Sequence, residues 1–236
     1  MNIDFSRPQI GIELELETVP FFDEAAFRDA GATFAVVPDN RIGHDWVADS
    51  VYVNDARHRS SGLAVQFPTF ICGMPGEWKT LSGNHAGMIV PEWPYGYAVY
   101  FLRNLNDPTP HVQKVVDDDN LHARDMRRVV SGSMIGRYVS SVESISALEC
   151  LETDFLVLAR RGRSYSALET GLSYSALETG LMASMIAVSE LPTLVQGIET
   201  GESASIAMES GARGVVISSQ SLSVELVAEV KNSLGG

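Results

Sequence analysis

Short apolar runs alternate with longer amphipathic segments along most of the chain. Four runs in the C-terminal half predict strands: 133–139, 154–159, 192–196 and 214–218. The runs at 154–159 and 214–218 are short and apolar, which is the pattern of buried strands. Apolar residues at helical spacing follow three of these runs, at 141–151, 200–210 and 222–234. Strand–helix units of this length predict parallel strands joined by crossover helices.

The N-terminal half begins with the same alternation. Residues 9–16 predict a strand, 23–30 a helix that Gly31 ends, and 33–37 a second strand. Further strands are predicted between loops rich in Pro, Gly and Asn, at 62–67, 88–90 and 97–102.

Part of the first strand departs from the fully buried pattern. Residues 12–17 alternate strictly between an apolar side chain and a glutamate, which suits a half-wet strand better than a buried parallel one. Two explanations are open. Either the glutamates face the interior of a barrel near its open end, or the strand extends past the sheet.

These elements predict the α/β class and a (β/α)8 TIM-type barrel. The chain has 236 residues, close to the usual barrel size of about 250 residues, and its strand candidates alternate with helices. The rival fold, a doubly wound sheet, carries a G-x-G-x-x-G turn after its first strand, whereas Gly11 opens that strand here. No linker-like stretch divides the chain, so one domain is predicted over 1–236.

The charge balance excludes one class of partner. Lys and Arg number 17 against 30 for Asp and Glu, a formal net charge of −13. A nucleic-acid-binding protein needs a basic face to displace counterions from phosphates, and an anionic membrane surface makes a similar demand. We therefore expect neither nucleic acid nor membrane as a partner. The net negative charge is still compatible with a phosphorylated small molecule as ligand. Dissolved salt screens the repulsion between charges more than about 8 Å apart at physiological ionic strength.

Three further features predict a cytoplasmic protein. No uninterrupted apolar stretch approaches the about 18 residues of a membrane-spanning helix. The first residues, Met1–Phe5, have neither the basic nor the apolar region of a secretory signal. The two cysteines, Cys72 and Cys150, are too few for a disulfide scaffold.

The ends of the last two predicted strands carry the candidate binding residues. In a parallel barrel all strands direct their C-terminal ends to one face, where helix N-termini present free N–H groups to anions. Gly197 there allows the backbone to approach an anion closely, and Ser218, Ser219 and Gln220 supply hydroxyl, amide and N–H donors. We expect these residues to form a phosphate site.

Residues 192–222 resemble the last strands of the nitronate monooxygenase (2-nitropropane dioxygenase-like) family, including the related domain of polyketide synthases. The likeness lies in Gln196-Gly197-Ile198, a helix rich in small residues, Ser210-Gly211-Ala212 before Gly214-Val215-Val216, and Ser219-Gln220. It implies FMN across the C-terminal face and a flavin oxidoreductase acting on a small organic or acyl substrate. The flavin phosphate would then contact Gln196, Gly197 and Ser218–Gln220.

The chain departs from that family at three places. Gln196-Gly197 replaces paired glycines, and Ser218-Ser219 replaces Gly-Thr. The loop at 160–164 carries arginines where the family has a catalytic histidine. Arg163 is therefore assigned to the phosphate as a bidentate donor, and no catalytic residue is assigned.

Two alternative functions are open. Thiamine phosphate synthase-like barrels share the same general features, so the chain is alternatively a phosphate-binding lyase or synthase, in which Asp117–Asp119 with Mg²⁺ join the phosphate loops. The other alternative is a non-catalytic barrel within a larger synthase assembly, because a fold is retained more easily than a site. An enzyme is favoured, and a homo-oligomer is compatible with each function.

The remaining signals are weaker. His44 and His85 are isolated and are predicted to be structural or exposed, and Cys72 has the apolar flanks of an inert core thiol. Residues Ser164–Leu172 are repeated without change at Ser173–Leu181. We interpret this repeat as a local duplication that lengthens one strand–helix connection.

Overall fold

A closed barrel of eight parallel strands forms the centre of the molecule, with the strands neighbouring one another in chain order. The computed structural model describes residues 3–15, 17–37, 58–73, 84–90, 110–139, 141–142, 145, 148, 151–159 and 176–235. The strands are β1 (Gln9–Glu13), β2 (Phe34–Val37), β3 (Thr69–Cys72), β4 (Gly87–Val90), β5 (Met134–Val139), β6 (Phe155–Ala159), β7 (Thr193–Ile198) and β8 (Gly214–Ile217). Pairing of β1 with β8 closes the ring.

Helices pack around this barrel in the positions expected of crossover connections. They are α1 (Glu24–Ala30), α2 (described over 58–66), α3 (Pro110–Val129), α4 (Ala176–Val188), α5 (Gly201–Glu209) and α6 (Val224–Ser233). The second copy of the nine-residue repeat contributes the first turns of α4, and the first copy lies outside the described residues.

The structure confirms the predicted α/β class and the (β/α)8 barrel. Five predicted strands and three helices match the observed bounds closely: 33–37, 88–90, 133–139, 154–159 and 214–218, and 23–30, 200–210 and 222–234. The strand predicted at 192–196 is β7, which runs on to Ile198, and that predicted at 9–16 ends at Glu13. The strand predicted at 97–102 and most of the helix predicted at 141–151 lie outside the described residues.

One strand prediction is wrong. Residues 62–67 belong to helix α2 and the turn after it, and β3 begins at Thr69 instead. Leu63, Ala64 and Phe67 are buried while Val65 is 56% exposed, and this spacing follows a helical face and not the alternation of a strand. The β-branched Val65 favours a strand locally, but the spacing of the buried residues around it is that of a helix.

Alternate residues of each strand face two separate cores. One core lies between the strands and the helices and includes Ala35, Ile71 and Val215. The other fills the barrel interior and includes Phe34, Phe70, Phe155 and Val216, among others. Strands buried on both faces explain why their sequences are continuously apolar.

Glycines opposite aromatic rings make room inside the barrel. Gly11 is in register with Phe34 on the next strand, and Gly136 with Phe155. A Cβ atom at either glycine would overlap the ring of its partner. The rings of Phe34 and Phe155 also pack on Phe70, with centroid separations of 5.9 and 5.3 Å.

A buried ion pair fastens helix α3 to the outer face of β5. Arg137 contacts Asp119 with its guanidinium, and both side chains are almost fully buried. The Nε atom of Arg137 also donates to Thr153 Oγ1 at 3.0 Å. Asp119 is therefore occupied by a structural partner, and Asp117–Asp119 lie on α3 outside the barrel, where successive side chains diverge. This placement does not support the predicted Mg²⁺ role of these aspartates.

None of the helices in the described ranges is both long enough and apolar enough to cross a bilayer. Cytoplasmic localisation and assembly into a homo-oligomer remain predictions from the sequence.

Replacing Gly11 by alanine tests the glycine–ring packing. We expect Gly11→Ala to lower the free energy of unfolding by about 1–3 kcal/mol, because the new methyl group overpacks against Phe34. The matched control is Gly62→Ala on α2, where an added Cβ meets no atom within 4 Å. That control should raise stability by about 0.5–1 kcal/mol through its helix propensity. Denaturant unfolding measures the free energy of unfolding of both variants. Equal changes in the two variants would contradict the packing of Gly11 against Phe34.

Candidate functional site

A layer of polar side chains lies at the C-terminal end of the barrel interior. It consists of one residue from each odd-numbered strand: Glu13 of β1, Cys72 of β3, Tyr138 of β5 and Gln196 of β7. The layer below it is apolar and comes from the even strands: Val36, Ile89, Val157 and Val216. Residues four to a layer from alternate strands are the normal packing of this barrel, and catalytic groups are found at its C-terminal face. The change from apolar to polar therefore occurs at the functional end.

Glu13 is a buried carboxylate held by an amide. Its side chain is 2% exposed, and its Oε2 atom accepts a hydrogen bond of 3.1 Å from Nε2 of Gln196. Transfer of a carboxylate from water into a protein is costly unless hydrogen bonds compensate. The pairing of Glu13 with Gln196, across the barrel end, supplies part of that compensation. Of the two explanations for the glutamate alternation, the interior position is right for Glu13, whereas Glu15 lies beyond the strand and is exposed.

The amide of Gln196 is satisfied on one side only. Its Nε2 atom faces Glu13, and among the described residues its Oε1 atom has no hydrogen-bond partner although it is buried. The acceptor Glu13 fixes which end of the amide faces it, because only the NH₂ group donates. The carbonyl oxygen is thus a buried acceptor at the functional end.

Tyr138 contributes a hydroxyl that stays protonated. Burial raises the pKa of Tyr138 well above its ordinary value of 10.0, the neighbouring Cys72 and Glu13 raise it further, and the side chain of Gln196 lowers it by a smaller amount. Its hydroxyl lies 3.6 Å from Sγ of Cys72. The polar layer therefore contains a hydrogen-bond donor that keeps its proton at neutral pH.

The ends of β7 and β8 lie side by side as predicted. The two strands pair in parallel, with a register irregularity between Gln196 and Ile198. Gly197 occupies the irregularity with φ of +89°, a conformation that favours glycine. The Ser218 N–H group donates to the Ile198 carbonyl at 3.0 Å. Gly197 and the segment 218–220 therefore meet at one end of the barrel.

The serines after β8 are partly engaged with neighbours. The Ser219 hydroxyl donates to Oε1 of Glu15 at 3.4 Å, and the Gln220 N–H group donates to Oγ of Ser218 at 3.4 Å. Ser218 is buried, whereas Gln220 is exposed. The candidate phosphate loop thus has a carboxylate on its β1 side.

The N-terminus of helix α5 differs from the expectation of free N–H groups. The Gly201 N–H group donates to Oε1 of Glu229 on α6 at 2.9 Å. The Ser203 N–H group donates to Oγ1 of Thr200 in a capping box. A carboxylate of the chain itself already occupies this positive helix end, so the predicted anion contact rests on the strand ends.

The predicted site residues divide into three groups. Gly197 and Ser218–Gln220 lie at the shared end of β7 and β8, and Gln196 faces inward beside Glu13. Arg163 and His44 lie outside the described residues. The sequence analysis missed Glu13 and Tyr138 as site residues. The available signal was a polar residue at the last inward position of strands that are otherwise apolar.

His85 is placed away from this site. It lies just before β4, at the opposite end of the strands, and its Nε2 atom is 2.9 Å from Oγ of Ser60. Both side chains are buried. A structural role, as predicted for this histidine, agrees with that position.

Comparison with known proteins identifies the fold. No protein-family profile and no curated protein sequence match this chain. Thiamine phosphate pyrophosphorylase from Pyrococcus furiosus matches with a TM-score of 0.55 and 11% identity, over 96% of this chain and 95% of that one. The tryptophan synthase alpha chain from Legionella pneumophila matches with a TM-score of 0.57 and 14% identity, over 97% and 92%.

A third solved structure carries a bound substrate. It is (S)-3-O-geranylgeranylglyceryl phosphate synthase from Thermoplasma acidophilum in complex with sn-glycerol-1-phosphate, with a TM-score of 0.54 and 12% identity, over 98% of this chain and 94% of that one. At such identities the likeness shows the fold alone.

The resemblance to nitronate monooxygenases is wrong, and so are FMN as the cofactor and a flavin oxidoreductase as the function. The structural matches are synthases and a pyrophosphorylase and not flavin barrels. The segment that carried the resemblance, 192–222, consists of the last strand–helix units, whose small residues suit barrel packing whatever the ligand.

Ionisation of Tyr138 gives a pH test of the polar layer. An unfolded tyrosine ionises near pH 10.0, whereas folded Tyr138 keeps its proton to higher pH. The raised pKa of Tyr138 contributes stability that is complete below the unfolded pKa of 10.0 and is lost as the pH rises through the folded pKa. We expect the free energy of unfolding to fall more steeply with pH, from about pH 10 upward, for the wild type than for Tyr138→Phe. Equal slopes in alkaline denaturant titrations would contradict the raised pKa.

Proposed function

We propose that the chain is a barrel lyase or synthase that acts on a small substrate carrying a phosphate group. The observation that carries this proposal is the polar layer of Glu13, Cys72, Tyr138 and Gln196 at the C-terminal end of an otherwise apolar interior. A barrel kept only as a scaffold has no need of a buried carboxylate, which is costly to fold. The layer therefore supports an enzyme over the non-catalytic alternative.

The phosphate group binds at the ends of β7 and β8 in this proposal. Gly197 lets the backbone approach an anion, and Ser218–Gln220 bring hydroxyl and N–H donors to the same place. The carboxylate of Glu15 beside Ser219 repels an anion, so the phosphate lies on the Gly197 side of the loop. Arg163, which follows β6 in the sequence, stays a proposed phosphate ligand.

The chemistry takes place over the polar layer. Glu13 acts as general base and removes a proton from a substrate carbon next to a carbonyl group. The electron pair of the broken C–H bond moves onto the carbonyl oxygen, which becomes an enolate oxygen. Tyr138, kept neutral by its raised pKa, donates a hydrogen bond to that oxygen and stabilises its negative charge. Return of the proton from Glu13, or loss of a leaving group from the neighbouring carbon, completes the turnover.

The structural neighbours support this substrate class. Two of them are named for phosphate compounds, and the third is a synthase subunit. All three match this chain in fold over most of their length.

A ligand panel with a glycine variant tests the phosphate site. We expect inorganic phosphate, pyrophosphate or a phosphate ester to raise the melting temperature, since about 2.7 kcal/mol of stabilisation accompanies a ligand at one hundred times its Kd. Gly197→Ala should weaken that binding, because alanine strains the backbone at a positive φ and its methyl group keeps the anion away. A cost of about 1.4 kcal/mol corresponds to about tenfold weaker binding, and we expect at least this loss.

The matched control for this test is Gly235→Ala. Gly235 also has a positive φ, +80°, but lies beyond α6 with no atom within 4 Å of an added Cβ. The control should bind the same ligands as tightly as the wild type. Equal weakening in both variants, or no response to any phosphate compound, would refute the site.

Replacing Glu13 by glutamine tests the general base. The amide keeps the shape and still accepts from Gln196, but it takes up no proton. With the phosphate ester that the panel identifies, we expect the exchange of substrate C–H protons with deuterium to fall by about 10²–10⁴-fold. Nuclear magnetic resonance in heavy water measures this rate.

The control for Glu13→Gln is Glu209→Gln, at the exposed far end of α5. It should leave both exchange and binding unchanged. If Glu13→Gln weakens binding while the exchange rate at saturating substrate is unchanged, Glu13 is a binding group and not the base.

A further inference from the structure

We infer that Oε1 of Gln196 is a substrate-recognition group, which selects a phosphorylated compound with a hydroxyl or amino hydrogen beside its reacting carbon. This inference rests on the proposed function and specifies its substrate class. It also reassigns Gln196, which the sequence analysis gave to the phosphate. The argument follows from burial, from the orientation of the amide and from its place in the polar layer.

The orientation of the amide is set by Glu13. Gln196 is 5% exposed, and its NH₂ group donates to the buried Glu13 carboxylate at 3.1 Å. Rotation of the amide by half a turn would set a carbonyl oxygen against that carboxylate, two acceptors without a hydrogen between them. The carbonyl oxygen therefore points away from Glu13.

Among the described residues, no group donates a hydrogen bond to that carbonyl oxygen. Within the described residues, two side-chain polar atoms are buried without a hydrogen-bond partner: Oε1 of Gln196 and Oγ of Ser133. Such groups are uncommon in folded proteins, because an unpaired buried acceptor reduces stability. Ser133 precedes β5 at the N-terminal end of the barrel, whereas Gln196 lies at the functional end beside Tyr138. Only the orphan at the functional end is positioned to meet a substrate.

The chemistry of the partner follows from the chemistry of a carbonyl oxygen. It accepts hydrogen bonds and donates none, so the oxygens of an ionised phosphate or carboxylate are repelled. A hydroxyl or N–H group satisfies it. Since Gln196 is hydrogen-bonded to Glu13, the recognised group lies next to the carbon from which Glu13 takes the proton. The substrate is thereby a phosphate ester with a hydroxyl or amino group near its reactive carbon.

Two phosphate esters with the same carbon chain separate this inference from the proposed function. Glycerol 3-phosphate carries hydroxyl groups along the chain, and n-propyl phosphate carries none. We expect wild-type protein to bind glycerol 3-phosphate about tenfold more tightly in isothermal titration calorimetry, the effect of one satisfied buried acceptor. Gln196→Met, which has no acceptor oxygen, should bind the two esters equally.

Two further variants keep the test decisive. Gln196→Lys retains an N–H donor for Glu13 but has no acceptor, so it should fold if the methionine variant does not, and it should also lose the preference. Ser133→Ala removes the other orphan oxygen and should keep the wild-type preference.

The outcomes differ for the two claims. If wild-type protein binds both esters equally, or if Gln196→Met or Gln196→Lys keeps the preference, the recognition role is overturned while phosphate binding stands. If neither ester binds, the proposed function fails and the inference fails with it.

Discussion

The packing of aromatic rings against glycines inside the barrel is the constraint on which the rest of the structure depends. Phe34 and Phe155 fill the interior only because Gly11 and Gly136 on neighbouring strands have no side chain in register with them. Protein interiors tolerate little overpacking or empty space. This interlock fixes the register of β1 against β2 and of β5 against β6, and so sets the heights of Glu13 on β1 and of Tyr138 on β5.

The two ends of the barrel carry different kinds of polar group. At the N-terminal end Arg127 binds both carboxylate oxygens of Asp154 at 2.8 Å, and Asp154 accepts from the Ile135 N–H group at 2.7 Å. Each of these groups has its partner, as expected where polar residues serve stability. At the C-terminal end Glu13 depends on an amide whose own oxygen is unpaired. Barrels of this type place stability at the first end and chemistry at the second.

Much of the fold could be predicted from local sequence, and less of the site. The continuous apolar runs of β6 and β8 and the glycines after α1 and α5 are short-range signals, and they indicated these elements correctly. The strand β3 was missed because a threonine and three apolar residues after a proline carry little periodicity, and the preceding helix was mistaken for it. Strand order alone predicted that Gly197 and Ser218–Gln220 meet at one end of the barrel, and the pairing of β7 with β8 confirms this position; their role in binding phosphate stays a prediction. The flavin was a wrong inference, since small residues near the last strands serve packing in any such barrel.

The sequence by itself determined the barrel, its charge and the meeting of Gly197 with Ser218–Gln220 at one end of it, because periodicity and strand order can be read from local sequence. Only the tertiary structure decided that Glu13 and Gln196, far apart in the chain, form a hydrogen bond. It also decided that Asp119 pairs with Arg137 and not with a metal, and that Glu229 occupies the first N–H group of α5. These pairings depend on the closure of the ring and on the register across it. Neither is encoded within the span of any single strand or helix.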